Sequence, residues 1–174
     1  MDATKLAAHY SRFRVTERVL LTGHSHQAWP DVAFDGVAEA FEDAANLVDD
    51  KWELAQQKAD AVRAGFRRLI GDPNAQLALG ANTHELVVRF LSALPWRSRS
   101  RLITTSGEFH SARRQFARLA EAGVEVVVVD AAPVDTLAAR VAEAVDDQTL
   151  AVLVSSVLYT TAEIVPGLPQ LAQA

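Results

Sequence analysis

The run Val124-Glu125-Val126-Val127-Val128-Val129 is the feature that most narrows what this chain can fold into. It is almost wholly β-branched and apolar at both parities, so the strand it predicts is buried on both faces. Ahead of it, residues 111–122 carry apolar positions at three- and four-residue steps and end at Gly123. Behind it, Val134, Leu137, Ala138, Val141 and Val145 repeat that helical spacing. Apolar runs at residues 101–105 and 150–155 read as further strands, and a shorter one at 76–80 precedes a helix over about 83–94. Continuous apolar strands alternating with amphipathic helices predict an α/β fold, a mostly parallel sheet with helices on both faces.

The first fifty or so residues lack this alternation. They read as an N-terminal arm: a short amphipathic helix, an extended run at 19–22, the loop Gly23-His24-Ser25-His26-Gln27-Ala28-Trp29-Pro30, and a helix carrying Phe34, Val37, Phe41 and Val48. A boundary is expected near Asp49-Asp50. The next stripe, Trp52, Ala55, Ala59, Val62, Phe66, Leu69 and Ile70, predicts a long helix terminated by Gly71, Asp72 and Pro73.

Charge and composition remove whole classes of function. With 17 basic against 22 acidic residues the net charge is −5, which argues against nucleic-acid and anionic-membrane partners. The cluster Arg97, Arg99, Arg101 reads as a solvated connection. The absence of cysteine excludes disulfides, thiolate nucleophiles and Cys-ligated metals. No apolar run is long enough to cross a bilayer and no signal peptide is visible, so a cytoplasmic protein is the default expectation. His24 and His26 lack a third ligand at suitable spacing, so no metal site is expected. Ser25 lacks the G-x-S-x-G elbow of a serine hydrolase.

Ligands of an open parallel sheet bind beyond the carboxyl ends of its strands. Three loops leave those ends, at residues 80–85, 106–111 and 155–161, and each is rich in hydroxyl, imidazole or amide groups. Asn82 followed by Glu85 fits a capping box, which leaves the first amides at Thr83 and His84 available to an anion. The same pair also caps a helix without any ligand. No G-x-G-x-x-G or Walker sequence is present, so a dinucleotide or nucleoside-triphosphate site is not expected. Phe109, directly after a strand end, is either a platform for a planar ligand or a core residue. Ser155 and Tyr159 are candidate hydrogen-bond donors to a cofactor.

In order and spacing, GHSHQAWP, GANTHELVVRFLSAL, GEFHSARRQFARLAEAGVEVVVVD and SSVLYTTAEIVPGL resemble pyridoxal-phosphate (PLP) enzymes of fold type I, aminotransferase class V, in their kynureninase-like branch. The resemblance runs from about Val19 to Leu168. It implies that Asn82, Thr83 and the His84 amide bind the cofactor phosphate, that Phe109 stacks on the pyridine ring, and that Ser155 lies close to it. His24 and Ser25 match the family's substrate-contacting loop. Ala112, Leu158 and Ala162 stand where such enzymes carry an aspartate, a polar residue and a glycine. It further implies a small amino-acid substrate, with kynureninase-like hydrolysis as the first reading, and a homodimer. Cysteine desulfurase or aminotransferase chemistry is the alternative within the class; a non-catalytic binding module is the alternative outside it. The lysines are Lys5, Lys51 and Lys58, none where the resemblance places the cofactor lysine, so no catalytic residue is assigned. Residues 1–174 are expected to be the N-terminal part of such an enzyme and inactive alone.

Overall fold

The valine-rich run forms a strand at the edge of the sheet, and is not buried on both faces as expected: with a partner strand on one side only, it leaves Val128 58% exposed. In the computed structural model, which describes residues 2–21 and 27–173, the chain divides into two compact units, residues 1–77 and 78–174. His24 and Ser25 lie outside the described residues.

The first unit is helical. Helix α1 (Ala3–Ala7) continues into a 3-10 segment (Ala8–Phe13), and α2 (Asp31–Leu47) and α3 (Lys51–Ile70) follow. Asp49 and Asp50 form the turn between α2 and α3. Asp31 fastens the arm to the start of α2. Its carboxylate accepts from the Ser11 amide (3.0 Å), the Ser11 hydroxyl (2.7 Å) and the Arg12 amide (3.0 Å). Gly71 ends α3 in the left-handed region (φ 73°), where a side chain would be strained. The apolar stripes of α2 and α3 form helices, but Phe41, Trp52 and Leu69 are exposed.

The expected strand at 76–80 does not form, and the reason is local. A strand needs partners for its carbonyls. Those of Ala75 and Leu77 instead accept from Arg67 Nε (2.8 Å) and Arg63 Nε (3.1 Å) on α3.

In the second unit, α4 (Thr83–Ser92) precedes β1 (Arg101–Thr105), α5 (His110–Glu121), β2 (Glu125–Val129), α6 (Leu137–Glu143), β3 (Thr149–Val152) and the short α7 (Leu168–Leu171). All strands are parallel, in the order β2-β1-β3. Period-two alternation sends neighbouring β1 residues to opposite faces. Leu102 packs with Leu91 of α4 and Phe116 of α5, while Ile103 packs with Leu137 and Val141 of α6. The class is therefore α/β, with helices on both faces of a three-stranded parallel sheet. Burying Leu102 and Ile103 fully stabilises by about 2 kcal/mol each.

The expected solvated arginine cluster is instead partly structural. Arg101 pairs with Glu125 (2.8 Å) and with Asp146, and Arg99 donates to the Thr149 carbonyl (3.1 Å). These bonds tie the amino ends of the strands. The chain's reversal from β2 back across β1 to β3 leaves a crevice at the opposite, carboxyl ends.

Candidate functional site

A cavity of about 470 Å³ occupies that crevice, beyond the carboxyl ends of β1 and β3. In a sheet of this order the exits of neighbouring strands diverge there, which opens space for a ligand. Its lining brings together Thr83 and His84 from the start of α4, Glu108 and Phe109 from the β1–α5 loop, and Ser155 beyond β3. Three segments far apart in sequence thus meet at one place, although the first of them, ahead of α4, leaves no strand.

Asn82 shapes the first wall. Its side chain accepts from the Glu85 amide (2.9 Å) and is the N-cap of α4. Glu85 reaches back to the Ala81 amide (2.8 Å), one residue beyond the usual partner in a capping box. Arg89 then pairs with Glu85 (2.5 Å). The Asn82 side chain is thereby committed to the helix, and Thr83 and His84 are the residues of this loop that face the cavity.

The start of α5 forms a second wall. Phe109 occupies its N-cap position and supplies no side-chain cap, and Ser111 and Ala112 line the cavity. Two helix N-termini therefore converge on one space, each favouring an anion by about 0.3–1 kcal/mol.

Phe109 is not a core residue: it is 46% exposed. Its ring lies against His110 (centroids 4.0 Å apart) and edge-on to Tyr159 (5.1 Å, 80°). Tyr159 is thus placed by an aromatic contact. Leu158, expected at a position that is polar in the resembled enzymes, is buried in the core with Val165.

The Ser155 hydroxyl, which could serve a cofactor or simply belong to a strand end, donates to Glu108 Oε2 at 2.6 Å. The Ser155 amide donates to Glu108 Oε1 (2.9 Å), which also accepts from the Thr105 hydroxyl (2.8 Å). Sequence reasoning passed over Glu108, which is 1% exposed. Its partner Ser155 stands 47 positions away, and nothing local marks a glutamate as buried. Gly107 makes this junction possible, since a Cβ there would lie 2.8 Å from Leu158 Cδ2 and 3.0 Å from Ala131 Cβ.

Next to this junction, Asp130 leaves β2 and accepts from the Ala132 amide and the Ser106 hydroxyl, both at 3.2 Å. The Ala132 bond foremost, then the Ser106 bond, holds its carboxyl below the usual range. Among the described residues no group of His, Asp and Glu could hold a metal, and no helix is long and apolar enough to cross a membrane.

Comparison with protein-family models, with curated proteins and with solved structures returned no match.

Proposed function

We propose that the cavity at the β1 and β3 exits is the cofactor site of a PLP-dependent enzyme of the class V, kynureninase-like type, acting on an amino-acid substrate. The observation that carries the reading is the convergence of two helix N-termini and a half-exposed phenylalanine on one cavity. A planar ring bearing a phosphate matches that chemistry: anion at the amides, ring beside the aromatic. The volume falls within the range of about 300–1,000 Å³ usual for such ligands. The resemblance carried by the loop motifs points the same way. When bound, the ring withdraws electrons from the substrate's reacting carbon. The protein's own part is to hold the phosphate at Thr83 and His84 and to fix the ring's plane at Phe109.

A binding role without covalent chemistry is the second reading, favoured by one observation: residues 78–174 contain no lysine.

Equilibrium dialysis of the chain against pyridoxal 5'-phosphate tests the ligand. Saturable binding is expected, displaced by inorganic phosphate and weakened several-fold by Thr83→Ala or Phe109→Ala. Binding that neither substitution alters, or no saturable binding, would overturn the proposal.

A further inference from the structure

We propose that Glu108 fixes the polarity of the cavity wall at Ser155, so that this wall takes a hydrogen-bond-donating group of the ligand, an ammonium or amine in preference to a carboxylate or carbonyl. The inference rests on reading the cavity as a site for a ring phosphate, and adds the chemistry of a second ligand group.

A serine hydroxyl has one proton and two lone pairs. The Ser155 proton is committed to Glu108 Oε2 at 2.6 Å, a length typical of a hydroxyl bound to a charged acceptor. The Ser155 amide and the Thr105 hydroxyl are committed to the other carboxylate oxygen. These three donors therefore point at the Glu108 carboxylate. What Ser155 has left to offer the cavity it lines is acceptor capacity. Glu108 reinforces that sign. It lines the same cavity, is 1% exposed, and forms no ion pair with Lys, Arg or His among the described residues. A ligand carbonyl or carboxylate brought to this wall would meet lone pairs and a negative charge. An ammonium would meet an acceptor and a counter-charge.

Ser155 is thus the residue that touches the ligand group, and Glu108 is a positioning residue acting through it. The carboxamide of Glu108→Gln keeps its oxygen at the Oε1 position, where two donors converge, and so puts an N–H donor where Oε2 stands. It keeps the size of the side chain while removing the charge and releasing the serine proton.

Calorimetric titration with two probes that share ring and phosphate tests this: pyridoxamine 5'-phosphate, which carries an ammonium, and 4-pyridoxic acid 5'-phosphate, which carries a carboxylate at the same position. The chain is expected to bind the amine about tenfold more tightly, the scale of one charge-assisted hydrogen bond. Glu108→Gln should erase that preference, and Ser155→Ala should reduce it while leaving the Glu108 charge in place. Equal binding of the two probes by the unsubstituted chain overturns the inference while leaving the cofactor reading intact; so does a preference that survives Ser155→Ala undiminished. Absence of binding by both probes overturns the inference and the cofactor reading together. The unsubstituted chain and Ser155→Ala decide the matter even if Glu108→Gln fails to fold.

Discussion

Ser155 and Glu108 are joined twice, amide to Oε1 and hydroxyl to Oε2, so a single carboxylate ties the exit of β1 to the exit of β3. Removing it leaves the fully buried Thr105 hydroxyl and the part-buried Ser155 amide without their acceptor. Each such loss costs about 1–3 kcal/mol. Glu108→Ala is therefore expected to lower stability by about 2–4 kcal/mol in urea unfolding. Glu108→Gln, which keeps one oxygen, should cost less than half as much. Equal losses in the two variants would show that side-chain volume, and not the bonds, holds the junction.

Ala162 sits in the left-handed region at φ 59°, in the tight loop where the Leu158 amide donates to the Glu163 carbonyl (2.9 Å) and the Ala162 amide to the Leu158 carbonyl (2.8 Å). Alanine pays about 1–2 kcal/mol there that glycine does not, partly offset by glycine's freer unfolded chain. Ala162→Gly is expected to raise stability by up to about 1 kcal/mol, read as a higher denaturation midpoint. A lower midpoint would mean that the Ala162 methyl makes a contact worth more than the strain.

What the sequence shows and what it hides divide along physical lines. The strand at 101–105 is legible because both its faces are buried; the run at 125–129 is legible from its β-branched residues, although as an edge strand it leaves Val128 exposed. The caps at Asn82 and Gly71 are legible because capping is local chemistry. The run at 76–80 misleads because a strand depends on partners, and arginines of α3 take the carbonyl of Leu77 within it and that of Ala75 just ahead of it. In the site, the meeting of Phe109 and Ser155 follows from the parallel pairing of β1 and β3, whereas Thr83 and His84 reach it without the strand expected ahead of α4. The direction of the Ser155 hydroxyl does not follow, because it depends on a buried glutamate that only the folded chain brings into reach. Ala162 lies between: its departure from glycine is visible in the motif, while its left-handed backbone is visible only in the fold.

In the first unit, the Arg12 amide, the Ser11 hydroxyl and the Ser11 amide all donate to Asp31, the Arg12 bond foremost, and hold its carboxyl below the ordinary value of 3.8. A folded-state value below the unfolded one means stability that is fully present above the unfolded pKa. It is lost as pH falls through the folded value. The arm's attachment to α2 should therefore be constant from neutral pH down to about pH 5 and weaken below pH 4. Amide hydrogen exchange at Ser11 and Arg12, followed against pH, is the measurement. Asp31→Asn should expose both amides already at neutral pH and remove the acid step. An acid step that persists in Asp31→Asn would assign it to another carboxylate.

Covalent capture of an aldehyde cofactor needs an amine held partly neutral within bonding distance of it. The chain's lysines are Lys5, Lys51 and Lys58, all in the first unit. Lys58 is exposed and paired with Glu39 at 2.5 Å, and the Lys51 ammonium lies 5.4 Å from the Trp52 ring. Thr83, His84 and Phe109 line the cavity proposed for the cofactor, but residues 78–174 offer no lysine amine. The expectation is binding without attachment: pyridoxal 5'-phosphate held reversibly, lost on dialysis, and not fixed at any one lysine by borohydride. Peptide mapping after borohydride treatment checks it, with the unsubstituted chain compared against Lys51→Arg and Lys58→Arg. Label spread thinly over several amines, and unchanged by either substitution, is the predicted pattern. Stoichiometric label at a single lysine, abolished by its replacement, would make that lysine part of the site and require a different account of how the cofactor is held.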